Sequence, residues 1–251
     1  MNELKLRGYV TPEDFEGSDG ERIQKAMDYA KKEDIAKVVL SGIYKTLDCI
    51  TVPAGMHVIF DSAVLFADLQ NEIVNNYSFE SDRIYIEGKN GELVGNIRFC
   101  HSRHVVLENL KISGNINLEF SRDLRMEHLD ITSELTLGRG CQNAIIQHIK
   151  AKSVLMSGED KDYDITGREP IIKNILLRDS EITDGILLNA SETCGFLNIQ
   201  IDGIHSENTC ITVGVKDNVL PKQQYQNMTF ADIDAPTKVV FNNEYTYAYI
   251  S

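Results

Sequence analysis

Along most of this chain, apolar and polar residues alternate in short runs, and the runs recur. One unit has the form apolar-x-(Asn or His)-apolar-x-apolar. It reads Leu107-Glu-Asn109-Leu-Lys-Ile112, Met126-Glu-His128-Leu-Asp-Ile131 and Ile146-Gln-His148-Ile-Lys-Ala151. It returns as Ile172-Lys-Asn174-Ile-Leu-Leu177, Phe196-Leu-Asn198-Ile-Gln-Ile201 and Tyr225-Gln-Asn227-Met-Thr-Phe230. The polar position steps by 19, 20, 26, 24 and 29 residues. Between the copies lies a second piece, apolar-x-apolar: Ile97/Phe99, Ile116/Leu118, Leu135/Leu137, Val154/Met156, Ile186/Leu188, Ile211/Val213 and Val239/Phe241. Period-two alternation in such short pieces means strands with one buried face. Two or three of them per ~20 residues make a coil that buries its neighbour's inner face. The pattern predicts an all-β chain, a single-stranded right-handed parallel β-helix. The six Asn and His positions are expected to form one column at about 4.8 Å per coil. Their side chains would hydrogen-bond up and down it, imidazole offering a donor and an acceptor as an amide does.

The period changes near the N-terminus. Ser18-Asp-Gly-Glu21 is a capping box, and Ile23, Ala26, Met27 and Ala30 form one apolar stripe, which predicts a helix over 19–32. A solenoid leaves an open apolar end, and an amphipathic helix placed there covers it. Strands at 38–40, 50–52 and 58–60, punctuated by Gly42, Pro53 and Gly55, open the first coils. The expected layout is one β-helix domain over 1–251, with a cap at 1–34, coils over 35–241 and a C-terminal end at 242–251.

Composition narrows the partners. The 251 residues are 42% hydrophobic and 25% charged, ordinary for a globular chain. No apolar run approaches the ~20 residues that span a bilayer, so no membrane segment is expected. The first residues lack a basic-then-apolar export signal, and five cysteines in a long chain suit reduced thiols, so a cytoplasmic location is expected. A net charge of −13 with scattered Lys and Arg argues against a nucleic-acid partner and repels acidic polysaccharides at long range.

The run Thr11-Pro-Glu-Asp-Phe-Glu-Gly-Ser-Asp-Gly-Glu-Arg-Ile-Gln-Lys-Ala-Met27 resembles the N-terminal signature of the pectin-lyase-like superfamily. Val38-Val-Leu-Ser-Gly-Ile-Tyr44 and Ile50-Thr-Val-Pro-Ala-Gly55 are similar to the strand-then-Gly-x-Tyr stretch that follows it. Within that superfamily the likeness is greatest to the polygalacturonases (glycoside hydrolase family twenty-eight). Ile182-Thr-Asp184-Gly-Ile-Leu-Leu188 is similar to that family's Asn-Thr-Asp-Gly-Ile-x-Leu, which implies that Asp184 holds the first catalytic carboxylate position. The next family motif, Gly-Asp-Asp-Cys-Ile, meets Glu207-Asn208-Thr209-Cys210-Ile211, so Asn208 and Thr209 stand where the family has two Asp. Its Gly-His-Gly and Arg-x-Lys motifs have no counterpart over 217–243. The family's three-carboxylate site is therefore expected to be absent.

By the same resemblance the substrate groove follows the apolar-x-apolar strand. Its outward residues are Arg98, Asn117, Thr136, Leu155, Leu187 and Thr212, and its entrances carry Glu134, Asp184 and Glu207. If Asp184 and Glu207 stack in adjacent coils, their carboxylates lie about 5 Å apart, the spacing of a retaining acid and nucleophile. With 38 Asp and Glu in the chain, a chance pair of solvated turn residues is the plainer alternative. Candidate sugar contacts are Arg98, Asn117, Thr136, Asn208, His205 and Lys216.

Segment lengths point to the C-terminal half. The stretch from the outer strand to the Asn/His column swells to 18 residues before Asn174 and 14 before Asn227, and the opposite corner lengthens after Asn174. Asp160-Lys-Asp162-Tyr-Asp164 lacks the Gly and Glu of a calcium loop, having Ile165 and Ile171 there. No phosphate loop, Ser/His/Asp set or Cys/His metal spacing occurs, so neither metal nor cofactor is expected. The expectation is a glycan-directed, divergent glycoside-hydrolase-like protein with a carbohydrate ligand. Alternatives are a non-enzymatic binding or assembly solenoid, of the tailspike kind, and a polysaccharide lyase. Nothing in the sequence sets an oligomeric state.

Overall fold

Short alternating runs can bury an apolar face only by stacking. In the computed structural model, the described residues form 22 strands that stack as one parallel sheet winding into a right-handed β-helix. The described residues are 3–67, 72–75, 81–158, 170–191, 194–215 and 225–241, and they make nine successive coils. One coil shows the plan: Ser102–Glu108 forms the first face, Lys111–Ile112 the second and Ile116–Glu119 the third. Each strand pairs in parallel with its equivalent one coil on: Leu107 with Met126, Ile112 with Ile131, and Ile116 with Leu135. Val105, Leu107, Ile112, Ile116 and Leu118 point inward and are fully buried, and the same inward positions repeat up the axis as one continuous core. In later coils the first two faces merge into single long strands, such as Ile172–Ile182 and Phe196–His205.

The chain turns sharply at both margins of the first face, and the turn residues have left-handed backbone. One column is His104, Asp123, Asn143, Asn174, Asn198 and Asn227, with φ between 52° and 56°. The other, five residues further on, is Asn109, His128, His148, Asp179, Gly203 and Asp232, with φ between 45° and 63°. Asn, Asp and Gly dominate because short polar side chains and glycine tolerate this conformation best.

The six Asn and His expected in one column therefore divide between two. Gln147 pairs with Arg178, which sets His148 level with Asp179 rather than Asn174. Asn109, His128 and His148 share the second column, whereas Asn174, Asn198 and Asn227 belong to the first. Both margins present the same apolar-x-polar-apolar-x-apolar pattern, and Asp179 and Gly203 broke the Asn/His signal where the register was lost. A ladder does form, within the first column: the Nδ2 of Asn143, Asn174, Asn198 and Asn227 donates to Asp123, Asn143, Asn174 and Asn198 in turn, at 2.7–2.9 Å. In the second column the His128 and His148 rings stack, 5.1 Å apart.

The same shift corrects the segment lengths. From the second column to the third face takes 7 residues at 109–116 and again at 179–186, so the lengthening expected after Asn174 is absent. The insertions before Asn174 and Asn227 stand, at the corner between the third face and the next first face. The Asp160–Asp164 run within the first of them, and Lys216 at the start of the second, lie outside the described residues.

A helix, Asp19–Lys32, covers the N-terminal end of the coils. Its capping box is formed, with Ser18 N donating to Glu21 and Glu21 N to Ser18 Oγ, and Ile23, Ala26, Met27 and Ala30 are buried. The helix also satisfies the backbone edge of the first coil. Lys45 N donates to Asp19, Thr51 N and O bond the Gln24 side-chain amide, and Lys31 donates to Ala54 O. Val10 completes the closure as an isolated bridge to Val38. Among the described residues no helix is long and apolar enough to cross a membrane.

Candidate functional site

The third face carries the residues singled out by resemblance, and they fall into register. Arg98, Asn117, Thr136, Leu155, Leu187 and Thr212 occupy one outward row, each paired with the next. The row is polar over its first three coils and apolar at Leu155 and Leu187. A second row at the strand entrances holds it. Asn96 Oδ1 accepts Asn115 N at 2.8 Å, and Asn115 Oδ1 accepts Glu134 N at 3.1 Å. The Glu134 carboxylate then accepts the hydroxyls of Thr136 at 2.8 Å and Ser153 at 3.4 Å. Glu134 is thus an oriented, partly buried carboxylate beside Asn117 and Thr136.

The other candidates are not gathered around it. Asp184 is exposed, and its carboxylate lies 3.7 Å from Lys152 Nζ one coil before. Counting back from the Ile186–Ile211 pair sets Asp184 level with Thr209, while Glu207 stands two residues before that level, exposed at the turn. Asn208 serves the turn itself: its Nδ2 donates to Thr183 O at 3.3 Å, beside Ser206, whose hydroxyl donates to the same oxygen. His205 lies on the second face, 2.9 Å from Asp234. There it belongs to a row in which acidic and basic side chains alternate: Glu92, Lys111, Asp130, Lys150, Glu181, His205 and Asp234. Lys111–Glu92 and Lys150–Glu181 are ion pairs of 3.0 and 2.8 Å, and each Lys holds its partner Glu below the usual carboxylate range.

The first face bears chemistry that sequence reasoning passed over. Between its two turn columns run two outward rows. One is His57, Tyr85, Val106, Arg125, Ile145, Leu176 and Gln200; the other is Ile59, Glu87, Glu108, Glu127, Gln147, Arg178 and Asp202. Three glutamates thus stack in consecutive coils, each supplied with a donor. His57 Nε2 lies 3.0 Å from Glu87, the Tyr85 hydroxyl donates to Glu108, and Arg125 with Gln147 donates to Glu127. Arg125 holds Glu127 below the usual range, and burial lowers His57 against the opposing pull of Glu87. Burial, aided by Glu108, raises the Tyr85 phenol. The His57 and Tyr85 rings stack at 4.1 Å. The signal was present in the repeat, since the residue before each second-column position is Glu87, Glu108, Glu127 and then Gln147.

Further along this face, the Asn ladder and the outward row enclose a shallow recess of about 400 Å³. Asn143, Asn174 and Asn198 form its wall, Ile145 and Leu176 its floor, and Gln200 its end. Among the described residues, no group of three or more His, Cys, Asp or Glu is placed to hold a metal ion.

These features define a right-handed parallel β-helix. The surface protein and adhesin PfbA of Streptococcus pneumoniae has this fold, with a TM-score of 0.50 and 9% identity over 96% of this chain and 99% of that one. The A-module of the mannuronan C-5 epimerase AlgE4 of Azotobacter vinelandii is similar at a TM-score of 0.36 and 12% identity, over 96% and 99% of the two chains. No family model matches the chain, and no curated protein does.

Proposed function

We propose that this protein is a glycan-directed β-helix that binds an extended carbohydrate without polygalacturonase hydrolysis. The observation that carries the reading is the row structure of its faces. Side-chain donors and acceptors recur at one coil spacing, about 4.8 Å, along a straight surface. Such a surface suits a linear polymer whose hydroxyls also recur. Hydrolysis in the polygalacturonase manner needs an acid on one side of the bond and a base-activated water on the other. Asn208 and Thr209 cannot exchange a proton usefully near neutral pH, and the Asn208 amide is committed to Thr183 O. Asp184, beside Lys152, remains as an exposed carboxylate. PfbA, a surface protein and adhesin, agrees with a binding role through fold likeness alone.

The test is a glycan array probed with the whole chain. Saturable binding to at least one oligosaccharide class, retained in Asp184→Asn, is expected. No binding to any glycan on the array would remove the proposal.

A further inference from the structure

We infer that the recess on the first face is a binding site for a neutral pyranose unit of a glycan, separate from the third-face groove. This rests on the glycan reading above and adds a place and a charge class to it.

The wall comes first. Each Asn side chain has two N–H donors and one carbonyl oxygen with two lone pairs. In the ladder, Asn143, Asn174 and Asn198 each donate one N–H to the coil before, at 2.9 Å, and accept one from the coil after. One N–H and one lone pair per coil are left over. Because the backbone at all three is fixed in the left-handed turn, these leftover groups are held in a straight row. Gln200 closes the row with an exposed amide that has no hydrogen-bond partner among the described residues.

The floor is apolar. Ile145 and Leu176 are adjacent in the outward row, and Ile145 is 47% exposed. Leaving such a side chain in water forgoes part of the ~1.5–3 kcal/mol that its burial supplies, and a ligand with an apolar face recovers it. A pyranose is such a ligand, with C–H groups on its face and hydroxyls on its rim. Its width is close to one coil spacing, ~4.8 Å, so neighbouring hydroxyls meet neighbouring amides. The volume of about 400 Å³ falls in the ordinary range for small-molecule sites, roughly 300–1,000 Å³.

Charge selects within the sugars. Among the described residues none that lines the recess is ionisable, and the chain carries a net −13. A uronate carboxylate would find no cation among the described lining residues and would approach through a repulsive field. A neutral hexose or pentose suffers neither penalty. Binding here should therefore be insensitive to salt and to pH near neutrality.

The experiment is a titration of the full chain, followed by backbone amide NMR. The probes are cellohexaose, xylohexaose, maltohexaose and mannohexaose, with an oligogalacturonate as the acidic comparison. At least one neutral hexasaccharide should shift Ile145, Leu176 and Gln200, with equal affinity at low and high salt. Leu176→Asp should weaken that binding by about tenfold or more by placing a charge in the floor. If Leu176→Asp does not fold, Ile145→Ser and Gln200→Ala, both at exposed positions, take its place, with a weakening of several-fold. Neutral-sugar binding that survives these variants and shifts Asn117 and Thr136 instead would overturn the recess site while leaving the glycan reading intact. Binding of the oligogalacturonate alone would do the same. No binding by any probe would overturn both.

Discussion

Asn174 shows how much one side chain does in this architecture. Its φ of 56° places it in the left-handed region, and its amide bonds both Asn143 and Asn198. Asn174→Leu removes two ladder bonds and puts a branched side chain where the backbone disfavours it. The expected loss is about 1–3 kcal/mol in chemical denaturation. Asn174→Gly removes the same bonds but tolerates the turn, so it should cost distinctly less, and equal costs would show that backbone strain plays no part. The cysteines divide as sharply. Cys100, Cys141, Cys194 and Cys210 are buried, and burial pushes the Cys141 thiol up to about 12 and the Cys210 thiol to about 11. Cys49 alone is exposed. Native thiol titration should find one fast-reacting group, lost in Cys49→Ser, with the other four appearing only on denaturation.

At the level of elements, the second-face charge row gives a pH prediction. The Glu92 and Glu181 carboxyls are held below their ordinary range by Lys111 and Lys150. A depressed carboxylate contributes stability that is complete above its unfolded pKa and is lost as pH falls through its folded one. His57, lowered by burial, acts in the same direction but begins near the ordinary imidazole value, about 6.5. Thermal stability should therefore decline in two stages on acidification, first through His57 and then below about pH 4 through the carboxylates. High salt should shrink the second stage, because the row is exposed. His57→Gln should abolish the first stage and leave the second. A decline with one stage in wild type would contradict the assignment. At the N-terminal end, Ser18→Ala should cost about 1 kcal/mol by opening the capping box. The helix was plain in the sequence, since Ser18-Asp-Gly-Glu21 and the Ile23–Ala30 stripe are local signals. Its Gln24 bonds to Thr51 were not, because nothing local ties a helix amide to a strand 27 residues away. The turn columns were legible only in part. Asn109, His128 and His148 were aligned correctly by composition, but the two margins of the first face share one pattern and only strand register separates them.

At the scale of the whole molecule, the described residues form nine coils in file, so each coil's stability depends on its neighbours. Removing residues 1–34 would expose the backbone of Lys45, Thr51 and Ala54 together with the core of the first coil. Aggregation on expression is the expected result, and a monomeric, folded truncation would show that the helix is dispensable. The third-face row was readable from sequence because Arg98, Asn117 and Thr136 occupy the middle of a repeated triplet. The Glu87–Glu108–Glu127 stack and the Asn143–Gln200 recess were not, because both depend on which residues of different coils share a level. The proposed departure from polygalacturonase chemistry rests on side-chain identity at Asn208 and Thr209, which is read from the sequence alone. That departure is tested most directly by measuring reducing ends released from polygalacturonate by the purified full chain. The account predicts no release above the protein-free control, and sustained release that disappears in Asp184→Asn would contradict it.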